Sequence, residues 1–170
     1  MDEETNQIDP EELRQAMRFW TTGITVVTSL DNHTRHGMTV NSFTSVSLSP
    51  PIVTVSLAHT TQTHSAVRQS HIFGVTILSL HQGDLADRFA GRGEYSALTQ
   101  ADRFSGVSTF TLKTGAPFIE GGLAFLDCKV IQQVEIGTTT VFYGNVVASQ
   151  FQEKGWPLAY FNRIYRGLQR

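Results

Sequence analysis

The chain has 170 residues, of which 40% are hydrophobic and 16% charged, with a formal net charge of -2. That length suits one domain burying roughly 70% of its unfolded surface, and the low charged fraction excludes disorder. The lack of basic excess excludes a protein that grips phosphate backbones, so nucleic acid is not an expected partner.

The N-terminus, "MDEETNQIDP", is acidic and carries no apolar run, so no signal peptide is expected. Residues 1–8 read as a flexible acidic tail and residues 9–170 as a single domain. Asp9 reads as an N-cap, with Pro10 at the first helical position and Glu12 placed for a capping box. Leu13, Ala16, Met17 and Trp20 then follow at helical spacing, giving one apolar face that ends near Gly23.

The period next changes to two. "TGITVVTS" (22–29) is β-branched and runs into the turn "LDNH". Residues 35–49 predict a second long strand and "PIVTVSLA" (51–58) a third. "THSAVRQS" (63–70) predicts a short helix and "IFGVTIL" (72–78) a fourth strand. Ser79 with Gln82 forms another capping-box signal, and Leu85 and Phe89 share a face of the helix it starts.

"AGRGEYSALTQADRF" (90–104) reads as a long polar loop, and "GVSTFTL" (106–112) as a strand. In "AFLDCKVIQQVEI" (124–136), Leu126, Cys128, Val130, Val134 and Ile136 alternate with Asp127, Lys129, Gln133 and Glu135, predicting a half-exposed strand. "TTTVFYGNVVAS" (138–149) and "GWPLAYFNRIYRGL" (155–168) complete the chain. Seven or so strands with three short helices predict a mainly β protein, a closed antiparallel barrel with helical decoration.

No complete GxGxxG follows a strand, and there is no P-loop and no GxSxG elbow. The six histidines lack carboxylate or cysteine company at metal-site spacing, so no metal is expected. Cys128 is the only cysteine, which rules out an intrachain disulfide and fits a reduced, cytoplasmic location. No stretch approaches the ~20 apolar residues of a membrane span.

The segment "RHGMTVNSFTSVSLSPPIVTVSL" (35–57) carries the functional signal. On strand alternation Met38, Val40, Val46 and Leu48 enter the core, while Thr39, Asn41, Ser45 and Ser47 share a polar, uncharged face. Two readings fit that face. It is either a solvated Thr/Ser-rich strand or the lining of an uncharged heteroaromatic ring such as an isoalloxazine.

Three segments, "LRQAMRFWTTGITVVTS", "HGMTVNSFTSVSLSPPIVTVSL" and "IFGVTILSLHQGDLADRFAG", resemble the flavin reductase-like family of small NAD(P)H:flavin oxidoreductases. The resemblance spans about residues 8–166 and is most specific over 37–51. It implies an FMN-binding split β-barrel (antiparallel, Greek-key-like), typically a homodimer. The implied activity is hydride transfer from NADH or NADPH to N5 of FMN or FAD, supplying reduced flavin to a separate monooxygenase component. By resemblance Met38, Thr39, Val40, Asn41, Ser42, Ser45 and Ser47 line the flavin. Thr61, Thr63 and His64 of "AHTTQTH" match a phosphate or ribityl loop, and Phe89, Ala90 and Arg92 of "RFAGR" cover the flavin tail. The family's G-D-H-T run, whose histidine lies near the nicotinamide, is Gly137–Thr138–Thr139–Thr140 here, so Thr139 stands where the histidine is expected. Tyr160 and Tyr165 are further candidates for the nicotinamide pocket. Two alternatives are a non-catalytic flavin carrier or sensor on the same fold, and electron transfer to another acceptor.

Overall fold

A computed structural model describes residues 8–168, so the predicted acidic tail lies outside the described residues except for Ile8. The first helix, α1 (Pro10–Met17), starts where the sequence predicts, with the Asp9 carboxylate accepting a hydrogen bond from Glu11 N at 2.8 Å. It stops short of Gly23, and its apolar face is not buried: Leu13 and Met17 are each 52% exposed and Trp20 66%. The helix is amphipathic, and among the described residues nothing buries its apolar face.

The predicted strand at 22–29 divides at Ile24. Thr22–Gly23 forms β1 and Thr25–Asp31 forms β2. The long strand expected over 35–49 is also two, β3 (Thr34–Val40) and β4 (Thr44–Leu48). They are followed by β5 (Pro51–Ala58), α2 (Gln62–Ser70), β6 (Ile72–Ile77), a 3-10 turn over Leu80–Gln82 and α3 (Gly83–Ala90). The region 90–104, expected as a loop, contains a 3-10 turn (Gly93–Ala97) and α4 (Gln100–Arg103), which Thr99 and Asp102 start with a capping box. Short β7 (Thr109–Thr111) and β8 (Pro117–Ile119) pair with each other. The two longest strands, β9 (Ala124–Ile136) and β10 (Thr139–Phe151), precede the hairpin of β11 (Leu158–Phe161) and β12 (Ile164–Gly167).

Seven strands form one sheet in the order β3-β2-β6-β9-β10-β5-β4, with every neighbouring pair antiparallel. Its edge strands, β3 and β4, are joined by residues 41–43 alone, so the sheet curls until its edges approach. The edges do not pair. The closed barrel expected from the element count therefore gives way to the split barrel that the family resemblance implied. The break at 41–43 also ends the alternation read through it: Val40 is buried, but Val46 is 51% exposed and Leu48 89%, so neither enters the core. A register shift between Ser45 and Ser47 disturbs the parity further.

Both faces of β2 are buried. Val27 joins Val53, Val55, Leu57, Phe73, Val75 and Phe142 inside the curled sheet. Its neighbour Val26 points the other way, into a second cluster with Ile24, Leu78, Ala86, Phe89, Phe104 and Leu158. That second cluster holds α3 and the C-terminal hairpin on the outside of the sheet. Strand β9 departs from the predicted half-exposed pattern because Phe125 and Asp127, on its polar side, are buried. The Lys113–Thr114 segment covers Asp127 and donates two backbone N–H groups to its carboxylate.

Candidate functional site

A cleft of about 480 Å³ opens where β3, the start of α2 and the end of α3 meet. Gly37 on β3 makes this meeting close. A Cβ there would approach Phe89 at 2.9 Å and Phe104 at 3.0 Å, so only glycine lets those rings pack onto the strand. The Gly37 N–H donates to Gln100 Oε1 at 2.8 Å, which brings α4 to the rim.

One wall is β3. Met38 and Thr39 line it, and the Thr39 hydroxyl donates to Ala86 O at 2.6 Å, tying the strand to α3. A second wall is the loop into α2, with Thr60, Thr61 and Gln62. Thr61 is the N-cap. Its hydroxyl donates to Ala58 O at 2.9 Å and accepts from His64 N at 3.2 Å. The first turn of a nine-residue helix therefore faces the cleft, and its backbone N–H groups favour an anion.

The third wall is cationic. Phe89, Ala90, Arg92 and Arg103 close it, with Leu98 and Thr99 beyond. Arg103 lies over Gly91, whose φ is +64° and whose hypothetical Cβ would stand 2.6 Å from the guanidinium. The left-handed φ favours glycine there, and any side chain would displace the Arg103 guanidinium. Arg103 donates to Phe89 O at 3.2 Å, but its buried Nε has no hydrogen-bond partner. Burial lowers its pKa below the ordinary arginine value.

The cleft continues into a cavity of about 210 Å³ that shares Thr39, Ala90 and Arg92 and adds Val40, Asn41, Tyr160 and Tyr165. Arg92 stands 3.8 Å from Asp87 and 3.3 Å from the Tyr160 hydroxyl. The Tyr165 hydroxyl donates to Asp87 Oδ1 at 3.1 Å. Burial, then the nearby Asp87 carboxylate, push the Tyr165 phenol up to about 12, so it stays a neutral donor.

Of the residues singled out from the sequence, Met38, Thr39, Val40, Asn41, Thr61, Phe89, Ala90, Arg92, Tyr160 and Tyr165 line this continuous groove. The others sit elsewhere in the single chain. Ser42 is spent on β5: its hydroxyl donates to Ser56 O at 2.9 Å and accepts from Ser56 N at 3.2 Å. Ser45 and Ser47 lie on β4, past the break. Thr63 is buried with its hydroxyl unpaired.

His64 is buried, with Nε2 2.9 Å from Thr140 Oγ1, and it borders a separate recess with His59, Arg68 and Glu135. Thr139 begins β10 and its hydroxyl donates to Ile136 O at 3.1 Å. No histidine follows His81 in the sequence, yet folding brings His59 within 3.1 Å of Thr140 Oγ1, next to Thr139. Sequence reasoning missed Gln100 and Arg103. The signals present were the Thr99/Asp102 capping box and the left-handed Gly91 that Arg103 covers.

The flavin reductase like domain family matches residues 17–169. An NADH-dependent flavin reductase from Rhodococcus sp is 33% identical over 176 residues, covering 99% of this chain and 94% of the relative. The reductase component of 4-nitrophenol 4-monooxygenase/4-nitrocatechol 2-monooxygenase from Rhodococcus opacus is 33% identical over 154 residues, covering 91% and 78%. Among solved structures, the NADH:FAD oxidoreductase SgcE6 of Streptomyces globisporus C-1027, in complex with NAD and FAD fragments, superposes with a TM-score of 0.85. It is 30% identical and the match covers 97% of this chain and 98% of that one. The fold thus has its counterparts in proteins of one kind, and this chain belongs to the flavin reductase-like family.

Proposed function

We propose that the chain is a flavin reductase that oxidises NADH or NADPH, reduces FMN or FAD, and releases reduced flavin to a separate oxygenase component. The observation that carries this reading is the groove itself. One end has Arg92, Arg103 and the first turn of α2, which suit a phosphate. The other has uncharged Thr39, Val40 and Asn41, which suit the edge and face of a neutral heteroaromatic ring. Arg103 lines the cleft with a single hydrogen bond to the chain, to Phe89 O, so its guanidinium can turn donors to a phosphate.

When bound, the flavin supplies the redox chemistry by accepting a hydride from the nicotinamide. The chain's task is then orientation. Arg103 and Arg92 hold the phosphate, and Met38 and Val40 give apolar cover. Asn41 offers donor and acceptor to the ring edge, while Thr39 keeps β3 fixed against α3. Tyr160 and Tyr165 border the space beside Asn41, where a nicotinamide ring can enter. Transfer requires the two rings to meet at about 3–3.5 Å, and no side chain has to act as a strong base.

We read residues 9–170 as one domain working in the cytoplasm; the single buried cysteine, Cys128, fits a reducing compartment. We also read the working form as a homodimer. Phe19 (77% exposed), Leu48 and Phe151 (70%) are too apolar for permanent contact with water.

The test is NADH and NADPH oxidation by the purified protein with FMN or FAD added separately. Flavin-dependent oxidation by at least one pairing is expected. Tight flavin binding without turnover in any pairing would make the chain a carrier instead. Sedimentation at several concentrations should give twice the chain mass; a monomer throughout would remove the homodimer.

A further inference from the structure

The groove does not end at Tyr160. A further recess of about 180 Å³ shares Asn41 and Tyr160 with the cavity already described. Its walls are α1 and the tip of the β11–β12 hairpin. Arg14, Met17 and Arg18 come from one face of α1 at i, i+3 and i+4, and Asn162 and Arg163 come from the hairpin tip. The two walls are locked together: Arg18 Nε donates to Asn162 Oδ1 at 2.8 Å, and Asn162 N donates to Arg18 O at 3.0 Å.

Three guanidinium groups border this recess, and among the described residues one carboxylate answers them. Glu11 pairs with Arg14 and stands 3.9 Å from Arg163. Arg18 bonds neutral groups among the described residues, Asn162 Oδ1 and, at 2.7 Å, Gln15 Oε1. Among the described residues, three cations less one carboxylate leave two positive charges at the mouth of the groove.

The backbone gives an independent observation. Asn162 and Arg163 both occupy the left-handed region, with φ of 51° and 63°. A two-residue hairpin turn of this kind favours Asn followed by Gly. Arginine at the second position carries a steric cost that glycine would avoid, and strain of this sort collects at functional sites. Trp20 and Met17, both more than half exposed, add an apolar surface beside the charges.

We infer that this recess binds phosphate groups on the adenosine half of the nicotinamide nucleotide, with Arg18 and Arg163 as ligands and Trp20 offering its face to the purine. The inference rests on the reading above that nucleotide and flavin meet in the adjoining groove. Both ligands are anionic and repel each other at close range. Arg103, beside the first turn of α2, and the Arg18–Arg163 pair at the further recess keep the two sets of phosphates apart, with Arg92 and the meeting rings between them.

The test is calorimetric titration of the intact protein with adenosine, ADP and adenosine 2′,5′-bisphosphate, repeated on Arg18→Ala and Arg163→Gly. The phosphorylated probes should bind and adenosine should not. Each substitution should weaken that binding about tenfold, the loss of one charge-assisted hydrogen bond. The glycine variant relieves the left-handed strain, so its melting temperature should hold or rise while binding falls, which separates ligand loss from unfolding.

In turnover, KM for the nucleotide should rise in both variants with flavin affinity unchanged. A rise for NADPH alone assigns the recess to the 2′-phosphate, and equal rises for NADH and NADPH assign it to the pyrophosphate. Unchanged probe affinity and unchanged nucleotide KM in both variants would overturn the inference, as would flavin affinity falling in step. Probe binding without any nucleotide oxidation would leave this site standing and remove the reductase reading; oxidation indifferent to both substitutions would do the reverse.

Discussion

Asp127 and Arg103 are both ionisable side chains withdrawn from water, and the fold treats them in opposite ways. Asp127 is fully buried, and its carboxylate accepts from Lys113 N and Thr114 N, both at 2.7 Å, and from the Thr114 hydroxyl. Arg103 borders the cleft, makes one bond to Phe89 O, and leaves a buried Nε unpaired. Asp127 is saturated from within the chain, whereas Arg103, at the edge of the cleft, is held by a single bond and leaves its guanidinium available to a ligand.

The largest effect expected from this contrast is on stability. Asp127→Ala strands two backbone N–H groups and a hydroxyl in a dry site and should cost about 3 kcal/mol in urea denaturation, with flavin affinity retained once folded. Arg103→Ala should do the opposite: about tenfold weaker FMN or FAD binding by fluorescence titration, with little change in melting temperature. If Arg103→Ala melts as early as Asp127→Ala, the distinction between the two regions collapses.

Tyr165→Phe sharpens the comparison at the groove's far wall. It removes one donor to Asp87 and should cost about 1 kcal/mol. Because the phenol titrates at about 12, that loss should be the same from pH 6 to pH 9; a cost that varies across this range would contradict the assignment.

The smallest effect concerns acid. Burial lowers the pKa of His36 and of His64, and for His64 the neighbouring His59 and Arg68 push the same way. A histidine depressed in the folded state takes its proton later than in the unfolded chain. The stability it contributes is full above the ordinary histidine value and is lost as pH falls through that value toward the folded one. The melting temperature should therefore drift down from about pH 7.5 to about pH 5.5, and His64→Gln should flatten the drift. An unaltered slope in that variant would show that His64 does not set it.

Much of the molecule was legible in one dimension because the signals were local. Asp9 and Pro10 mark the start of α1 through backbone groups a residue or two away, and do so in the structure. β5, α2 and β6 fall within a residue of their expected ends because β-branched runs and capping residues bound them. The segment around 37–51 pointed to the groove, and Met38 through Asn41 line it. What failed was continuity. Alternation assumes one unbroken strand, and residues 41–43 turn the chain from one edge of the sheet to the other, so Ser45 and Ser47 could not be placed by counting from Thr39.

The sequence by itself determined the class of fold, the order of most elements and the chemical character of the groove's first wall, because periodicity, capping and turn chemistry act over a few residues. Only the tertiary structure decided which distant groups meet there. Arg103 reaches the cleft because Gly91 leaves room beneath it, and Gln100 because Gly37 lets α3 and α4 lie against β3. Asp127 disappears from the surface because Lys113 and Thr114 fold over it. Arg163 joins Arg14 and Arg18 because a hairpin tip docks on the first helix from the far end of the chain. Close packing between remote segments sets these meetings, and no window of local pattern contains both partners.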